Sequence, residues 1–400
     1  MKNYAYKARD NSGKMVKGVT VAENELDLSK KLSKQNLFLI YAEVKAMKKV
    51  VAKIPRLPQQ EVLNFTIQLA TLLDAGMPLV GGLSDLAKDA PNEEIRTVIS
   101  DIRSRVESGS TLKEALSYHK KTFSDLYISN IGAGESTGQL GLVLNDLCGF
   151  LEWQMDLKGK IKEASIYPII LFLAMTGVVA LLVVKILPMF KPIFEELKVD
   201  LPATTQFFLS ISDFVVGYWY VIIGVILLFV GSLKLFYSTE NGHLILDRLK
   251  LKVPIFGILI HKIVLSRFCH TLALTLQAGV TVLSALDISA QVIGNKFIER
   301  VIVKSRNAVN VGEKIAASLD SSGPGVFPPL VIRMISVGEQ SGHLIQTLHK
   351  VNQFYDKEVP SAIKKMFAMF EPLMIVIMGI IVGMIALSII TPLMQITTSL

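Results

Sequence analysis

Three long apolar stretches interrupt a chain in which hydrophobic and polar residues otherwise alternate at short spacing. Residues 164–184, 214–233 and 372–400 contain no charged side chain. A helix needs about 20 apolar residues to cross a bilayer. The pattern therefore predicts three transmembrane helices, at 169–187, 215–233 and 373–390.

The sequence also repeats itself at a nearly constant spacing, with one inserted residue. The matched positions include Phe65 with Phe268, Ala75-Gly76 with Ala278-Gly279, Asn92 with Asn295, Gly134-Glu135 with Gly338-Glu339, and Pro188 with Pro392. Because the register holds from polar segments into an apolar stretch, this pattern indicates an internal duplication.

Within each repeat the apolar positions follow helical spacing, and turn signals divide them into about six helices. Gly76 is typical of a helix C-terminus, whereas Asn92 and Asn295 are typical N-caps. Thr111 and Glu114 form a capping-box pattern before a short helix. The next helix is predicted to end at Gly134 in repeat one and at Val337 in repeat two. A long helix then leads into a span. We expect two homologous cytoplasmic helical bundles, over 59–168 and 234–371.

The first 45 residues have a different pattern. Alternation at Tyr4–Ala8 and Met15–Ala22 predicts two strands, joined by a turn at Asp10–Gly13. Asn24–Gln35 follows as a helix and Phe38–Val44 as a third strand. Residues 1–45 are therefore predicted to be a small ββαβ module, and the basic, proline-marked segment 46–58 a linker. The fold class is a mainly α polytopic membrane protein with this α+β module.

The loop between the first two spans, residues 188–214, carries its own helical pattern. Its apolar side chains fall at i, i+3, i+4 and i+7: Phe190, Ile193, Phe194 and Leu197. Charged residues occupy the other face, which is typical of an amphipathic helix at a membrane surface. A second helix is expected to begin near Pro202.

Composition and charge support a multi-pass protein and give its orientation. The chain is 51% hydrophobic and only 19% charged, with mean hydropathy +0.46. All but three of the 42 Lys and Arg residues lie outside the first span and the 188–214 loop, and 391–400 carries no charge. Basic segments stay cytoplasmic. The N-terminus is therefore predicted to be cytoplasmic, and the loop and C-terminal tail to be periplasmic.

The net charge of +8 suits contact with the anionic surface of a lipid bilayer. A nucleic-acid site would need a basic stripe with interleaved aromatic residues, and the sequence has none. Cys148 and Cys269 are too few for a disulfide framework. The sequence contains no P-loop, HExxH, CxxC or GxSxG pattern. We therefore expect neither an enzyme nor a bound cofactor.

The most informative polar residues are the paired corners Gly134–Gly138 and Gly338–Gly342. In one interpretation, glycines provide positive φ and the glutamate caps the N-terminus of the next helix. In the other, Glu135 and Glu339 are presented to a partner or to a hard cation such as Ca²⁺. Both interpretations stay open at the level of sequence.

Small residues also recur in the predicted spans, and they predict close helix packing within or between subunits. These are Gly217, Gly224 and Gly231 in the second span and Gly379 and Gly383 in the third.

Taken together, these motifs resemble the F-type inner-membrane platform proteins of type II secretion systems and type IV pili (GspF/PilC-like). The resemblance covers nearly the whole chain. It rests on Tyr4–Ala8 with Gly13-Lys14, on Ile186–Pro188 with Leu201-Pro202, and on Phe327–Leu330 followed by Gly338–Gly342. Repeat one departs from the family pattern, because Phe123-Ser-Asp-Leu126 replaces Phe-Pro-Pro-Leu.

The resemblance implies a protein of the bacterial inner membrane that works beneath a growing pilus or pseudopilus. Its partners would be a cytoplasmic assembly ATPase, pilin or pseudopilin subunits, other inner-membrane assembly proteins and further copies of itself. Both the pilus and the secretion assignments remain open. A membrane transporter is a rival class. Transporters, however, duplicate their spans and bury ionisable residues at mid-depth, whereas this chain repeats mostly helices outside the predicted spans. An intramembrane enzyme would need a pair of catalytic polar groups within its spans, and the predicted spans offer no such pair.

Overall fold

The computed structural model describes residues 2–10, 15–22, 25–33, 37–44, 55–196 and 202–399, in two units, 1–56 and 57–400. Residues 11–13 of the predicted turn, most of the linker, Leu197 and Leu201 lie outside the described residues. Each unit is considered by itself below.

The first unit confirms the ββαβ order. Strands β1 (Lys2–Asp10), β2 (Met15–Ala22) and β3 (Leu37–Val44) form an antiparallel sheet in the order β2-β1-β3, and α1 covers Glu25–Ser33. Tyr4 and Ala8 on β1 pack against Leu28 and Leu32 of the helix. The period-two pattern of β1 places these side chains on one face of the sheet, where they make a small core.

The second unit begins with a bundle of six helices, as predicted for repeat one. They are α2 (Gln59–Asp74), α3 (Leu79–Lys88), α4 (Glu93–Glu107), α5 (Leu112–Ser117), α6 (Asp125–Thr137) and α7 (Leu140–Leu181). The Oδ1 atom of Asn92 accepts a hydrogen bond from the N–H of Ile95 at 2.9 Å, which confirms the predicted N-cap. The capping box of Thr111 and Glu114 is complete, so the sequence signals that start these helices are correct.

The second repeat forms an equivalent bundle. Its helices are α11 (Phe256–Gln277), α12 (Val282–Val292), α13 (Lys296–Asn310), α14 (Ile315–Ser322), α15 (Pro329–Ser341) and α16 (Leu344–Ser399). Edge-to-face aromatic pairs mark the cores at matched positions. Phe65 meets Phe123 at a centroid distance of 5.7 Å, and Phe268 meets Phe327 at 5.2 Å. The duplication seen in the sequence is therefore a duplication of packing.

Two helix ends differ from the prediction. α6 does not end at Gly134, nor α15 at Val337. Both continue to a left-handed glycine, Gly138 at φ 70° and Gly342 at φ 72°. Such a glycine ends a helix without steric cost, whereas Gly134 lies inside α6. The prediction was wrong because it assigned the turn to the first glycine of each corner.

Between the two repeats, the chain forms three further helices, α8, α9 and α10. A π-helical turn, Leu182–Ile186, joins α7 to α8 (Leu187–Glu196), and α9 (Ala203–Ser238) follows, with a kink at Tyr218. α8 confirms a helix where the amphipathic pattern predicts one. α10 (Glu240–Lys252) was not foreseen as a separate helix. It lies between the end of α9 and the second bundle.

Four helical segments of the described residues are long and apolar enough to cross a membrane: Leu140–Ile193, Ala203–Ser238, Phe256–Gln277 and Leu344–Pro392. Three of them contain the predicted spans. In each of those three segments, at most 11% of the most apolar 18-residue stretch is buried. In Phe256–Gln277, 61% of that stretch is buried. The apolar character of α11 therefore serves the core of bundle two, and the other three expose apolar side chains as lipid-facing helices do.

Candidate functional site

The corner of repeat one is built from a close helix approach, a carboxylate cap and a left-handed turn. The two oxygens of Glu135 accept hydrogen bonds from the N–H groups of Leu112 and Lys113, at 2.7 and 3.1 Å. A Cβ placed on Gly134 would lie 2.8 Å from Cγ2 of Val143. Glu135 therefore holds the N-terminus of α5, and Gly134 admits α7 against α6.

The corner of repeat two has the same construction. The carboxylate of Glu339 accepts hydrogen bonds from the N–H groups of Ile315 and Ala316, at 2.8 and 3.4 Å. A Cβ on Gly338 would clash with Oγ1 of Thr347 and would lie 2.8 Å from Cα of Leu344. At each corner, the glutamate holds the N-terminus of a short helix, and the glycine before it lets the following long helix pack closely.

These contacts correct one part of the sequence interpretation. Each glutamate caps a short helix that precedes it in the chain, α5 or α14, and not the helix that follows. The carboxylate is stabilised there by unpaired N–H groups and by the helix dipole. Across the described ranges, no cluster of three or more His, Cys, Asp or Glu side chains is placed to hold a metal ion. Contact of either corner with a partner or a cation stays a prediction.

The two bundles meet through polar groups as well as through apolar ones. The ring of Trp153 on α7 stacks on His270 of α11, with centroids 4.0 Å apart and planes at 23°. Oδ1 of Asp356 on α16 accepts a hydrogen bond from Trp153 Nε1 at 2.9 Å and lies 3.0 Å from His270 Nε2. His270 thus belongs to the contact between repeats, whereas the adjacent Cys269 is buried in the core.

A buried carboxylate ties α10, and with it the end of α9, to the second bundle. Oδ2 of Asp247 accepts a hydrogen bond of 2.8 Å from the N–H of Lys296, at the start of α13. Its Oδ1 accepts hydrogen bonds from Nζ of Lys250 at 2.8 Å and from the hydroxyl of Tyr237 at 3.4 Å. Burial acts to raise the pKa of Asp247, but the hydrogen bonds from Lys250 and Lys296 outweigh it and lower that pKa.

The free thiols are not poised for chemistry. Burial raises the pKa of Cys148 to about 11 and that of Cys269 to about 12. A thiol needs its thiolate form to act as a nucleophile or as a metal ligand. Both cysteines are therefore protonated at neutral pH.

The apolar helices pack together at one end, beyond the bundles. Val183 and Leu187 form a buried cluster there with Phe208, Leu209 and Ile385. Near this cluster, the buried hydroxyl of Thr205 donates a 2.7 Å hydrogen bond to the carbonyl of Ser388. In lipid such a bond removes the cost of an unsatisfied polar group. This cluster joins the region of α7 and α8 to α9 and α16.

The span glycines singled out in the sequence lie away from this cluster. A Cβ built on any of them would meet no atom within 4 Å of it: Gly217, Gly224, Gly231, Gly379 and Gly383. The structure brings none of these glycines into a close helix contact within one chain. Packing against another copy or another protein stays a prediction.

Several residues of these contacts could not be found by motif. Trp153, Asp356 and Asp247 lie on helices that meet only in the folded bundle, so their partners are distant in sequence. His270 lies on a largely apolar helix, but that context alone does not identify its partners.

Comparison with known proteins assigns the chain to a family. The model of type II secretion system protein F matches twice, at residues 65–188 and 268–392, and the model of its N-terminal domain matches residues 1–43. The two matches begin at Phe65 and Phe268 and end at Pro188 and Pro392. They coincide with the alignment of the repeats.

Relatives come from two kinds of machine. The chain is 36% identical to a type IV pilus assembly protein PilC of Thermus thermophilus, over 99% of this chain and 98% of that protein. It is 35% identical to a PilC of Myxococcus xanthus, over 95% and 91%. It is 29% identical to a type II secretion system protein F of Vibrio cholerae, over 99% and 98%. The chain, a multi-pass membrane protein, therefore belongs to the type II secretion system protein F family.

Proposed function

We propose that this protein is the inner-membrane platform of a type IV pilus assembly machine, coupling a cytoplasmic assembly ATPase to insertion of pilin subunits into the fibre. One observation carries the proposal. α7 and α16 each run as one helix from a helical bundle into an apolar span. A continuous helix transmits a displacement or a torque along its axis, which a flexible linker cannot do.

In this proposal three helices cross the membrane and the two bundles lie in the cytoplasm. The basic residues support that orientation, because they concentrate in the bundles and are few in the 188–214 loop. The N-terminus is then cytoplasmic and the C-terminal tail periplasmic. α11 remains inside bundle two, where most of its apolar window is buried.

The proposed role is mechanical and not catalytic. The ATPase would act on the cytoplasmic repeats, and the corners at Glu135 and Glu339 are candidate contacts because they fix the short helices of each bundle. Pilin helices would meet the spans. Other inner-membrane assembly proteins and a second copy of the chain are further proposed partners, and the exposed span glycines are candidate sites for them.

The choice of pilus assembly over secretion rests on the two highest identities alone. The two highest identities, 36% and 35%, are to relatives named as pilus assembly proteins; three other relatives with pilus names and three named as secretion system protein F all share 29–31%. The alternative is the platform of a type II secretion system, which drives a short pseudopilus for export of folded proteins. The mechanics of the helices are the same in both.

Electron microscopy of surface fibres separates these functions. A strain that lacks the gene is compared with the same strain carrying the gene on a plasmid, with pilin and ATPase levels measured in both. Loss of fibres at normal pilin and ATPase levels supports pilus assembly. Normal fibres with retained exoproteins support the secretion alternative. Substrate flux in liposomes would instead favour a transporter.

A further inference from the structure

A basic groove lies between α10 and α13. It has a volume of about 380 Å³, and its lining includes three cationic side chains and several apolar ones, among them Arg248, Arg300, Lys304, Ile245 and Phe297. All three cations are exposed. Among the described residues, no Asp or Glu lines this groove. The groove therefore offers positive charge beside an apolar surface, which suits an anionic amphiphile.

The three cations lie close together. The guanidinium carbon of Arg248 on α10 lies 5.3 Å from the ring centroid of Phe297 on α13. Residues three or four apart on a helix are neighbours, so Phe297, Arg300 and Lys304 follow one another along one face of α13. From the first to the last of these residues the helix rises about 10 Å. Cations from both helices therefore border one short stretch of the groove.

The positive charge of the groove is not neutralised within the described part of the chain, where none of the three cations forms an ion pair. The acidic residues nearest to them in sequence are engaged elsewhere. Glu299 pairs with Lys296 at 2.6 Å, and Asp247 accepts hydrogen bonds from Lys250 and Lys296. Like charges one helical turn apart destabilise a helix, as the two cations of α13 are. An anion in the groove would remove that cost.

The internal duplication indicates that the fold does not require these cations. In the alignment that matches Asn92 with Asn295, α4 of the first repeat is the counterpart of α13. At the positions that match the phenylalanine and the two cations of α13, α4 carries Glu94, Thr97 and Asp101. The same helix therefore folds with acidic and neutral residues on this face. The reason for the basic face lies in what surrounds the second repeat.

The groove lies next to the place where α9 leaves its apolar, lipid-facing region. Leu235 near the end of α9 is exposed, and α10 begins at Glu240. On α10, Ile245 and Leu249 are 58% and 56% exposed, and Arg248 lies between them in sequence. Exposed apolar and basic residues on a helix beside a span are typical of the membrane surface, where the apolar groups enter the lipid and the cations meet headgroups. The groove therefore continues the lipid-facing surface of α9.

We propose that the groove between α10 and α13 binds the headgroup of an anionic phospholipid, with the phosphate held by Arg248, Arg300 and Lys304. A guanidinium matches the geometry of a phosphate, and the lysine adds a point charge. Ile245 and Phe297 lie against the glycerol and the start of an acyl chain. The choice of the cytoplasmic leaflet rests on the proposed orientation, but the chemistry of the site does not. A lipid bound there fixes bundle two at the bilayer surface.

Native mass spectrometry of the full-length protein, released from detergent micelles, counts the lipids that remain bound. The protein is titrated with dioleoyl phosphatidylglycerol, and with dioleoyl phosphatidylcholine, which has the same phosphate and chains but no net charge. Glycerol 3-phosphate tests a soluble phosphate ester, and hexaglutamate tests an acidic peptide. The groove variant is Arg300→Gln/Lys304→Gln. Its matched control is Arg333→Gln/Lys350→Gln, which removes two exposed charges of bundle two that do not line the groove.

We expect the first phosphatidylglycerol to bind at least about tenfold more tightly than phosphatidylcholine, because the cations favour a net negative headgroup. The groove variant should lose about tenfold in affinity for phosphatidylglycerol, and Arg248→Gln should weaken it as well. The control variant should bind as the wild type does. Glycerol 3-phosphate and hexaglutamate should bind far more weakly than the lipid, since neither fills the apolar part of the groove.

Melting curves establish that each variant is folded. Equal affinities of the folded groove variant and the control for phosphatidylglycerol would overturn the proposal, as would equal binding of the two lipids by the wild type. Glycerol 3-phosphate binding as tightly as the lipid would assign the groove to a soluble phosphate ester. Hexaglutamate binding as tightly, and lost in the groove variant, would assign it to an acidic protein, and either result would overturn the lipid site. The fibre assay is independent of these outcomes, so failure of the site and failure of the platform function are distinguishable.

Discussion

Trp153 of the first repeat stacks on His270 of the second, with ring centroids 4.0 Å apart. Asp356 holds both rings by hydrogen bonds. A little farther along α7, the side chain of Leu157 is buried in the core of bundle two. α7 therefore leaves its own bundle while in contact with the other one. The two bundles and the helices that enter the membrane are linked as one body, which is the basis of the proposed coupling.

The corner glutamates should stabilise the two bundles to a similar extent. Glu135→Gln and Glu339→Gln each keep the shape of the side chain but remove the charge that caps α5 or α14. Each should lower the free energy of unfolding by about 0.5–2 kcal/mol. Differential scanning fluorimetry of the purified protein measures this. The exposed Glu163→Gln, in the interior of α7, is the control. An equal loss of stability in it would show that removal of a negative charge, and not of the cap, lowers the free energy of unfolding.

Alanine in place of the first glycine of either corner should lower the stability of the protein. Gly338→Ala places a methyl group 2.8 Å from Cα of Leu344, and backbone cannot move aside as a side chain can. We expect a loss of about 1–3 kcal/mol. Gly134→Ala meets only the side chain of Val143 within 3 Å and should cost less.

Gly159→Ala is the matched control for these variants. Gly159 lies inside α7 with nothing within 4 Å of a built Cβ. Alanine there should stabilise the helix by about 0.5–1 kcal/mol. Equal melting temperatures for Gly338→Ala and Gly159→Ala would contradict the close approach at the corner.

The stability of the second bundle should depend on pH through Asp247. Its folded pKa lies below the usual 3.8, so its contribution is complete above about pH 4 and declines as the pH falls through the folded value. Asp247→Asn should lower the stability at neutral pH by about 1–3 kcal/mol. It should also flatten the acid limb of a melting-temperature profile between pH 7 and pH 3. An unchanged acid limb would show that another carboxyl group is responsible.

The glycines of the third span should matter for assembly and not for the fold of one chain. Gly383→Leu fills open space in the single chain, so its melting temperature should stay within about one degree of the wild type. If copies pack through this face, the same change should shift the population toward smaller oligomers in native mass spectrometry. An unchanged oligomer distribution would remove Gly383 from the packing surface.

Much of this fold was readable from sequence because its signals are local. Asn92, Asn295 and Thr111 each cap a helix through a hydrogen bond to the residue three positions later. The long apolar stretches likewise mark the positions of the spans. The role of Glu135 was not readable, since its partners Leu112 and Lys113 lie on another helix. The same holds for the meeting of Trp153, His270 and Asp356, which depends on how two bundles dock.

Interrupting α7 between its bundle and its span tests the coupling most directly. Three glycines inserted between Glu163 and Ala164 keep both parts of the chain but break the continuous helix. The same insertion after Gly325, in the loop between α14 and α15, is the control. Each variant is expressed in the strain that lacks the gene, and surface fibres are counted by electron microscopy at matched protein, pilin and ATPase levels. The account predicts normal fibres with the loop insertion and none with the α7 insertion; normal fibres with the α7 insertion would contradict it.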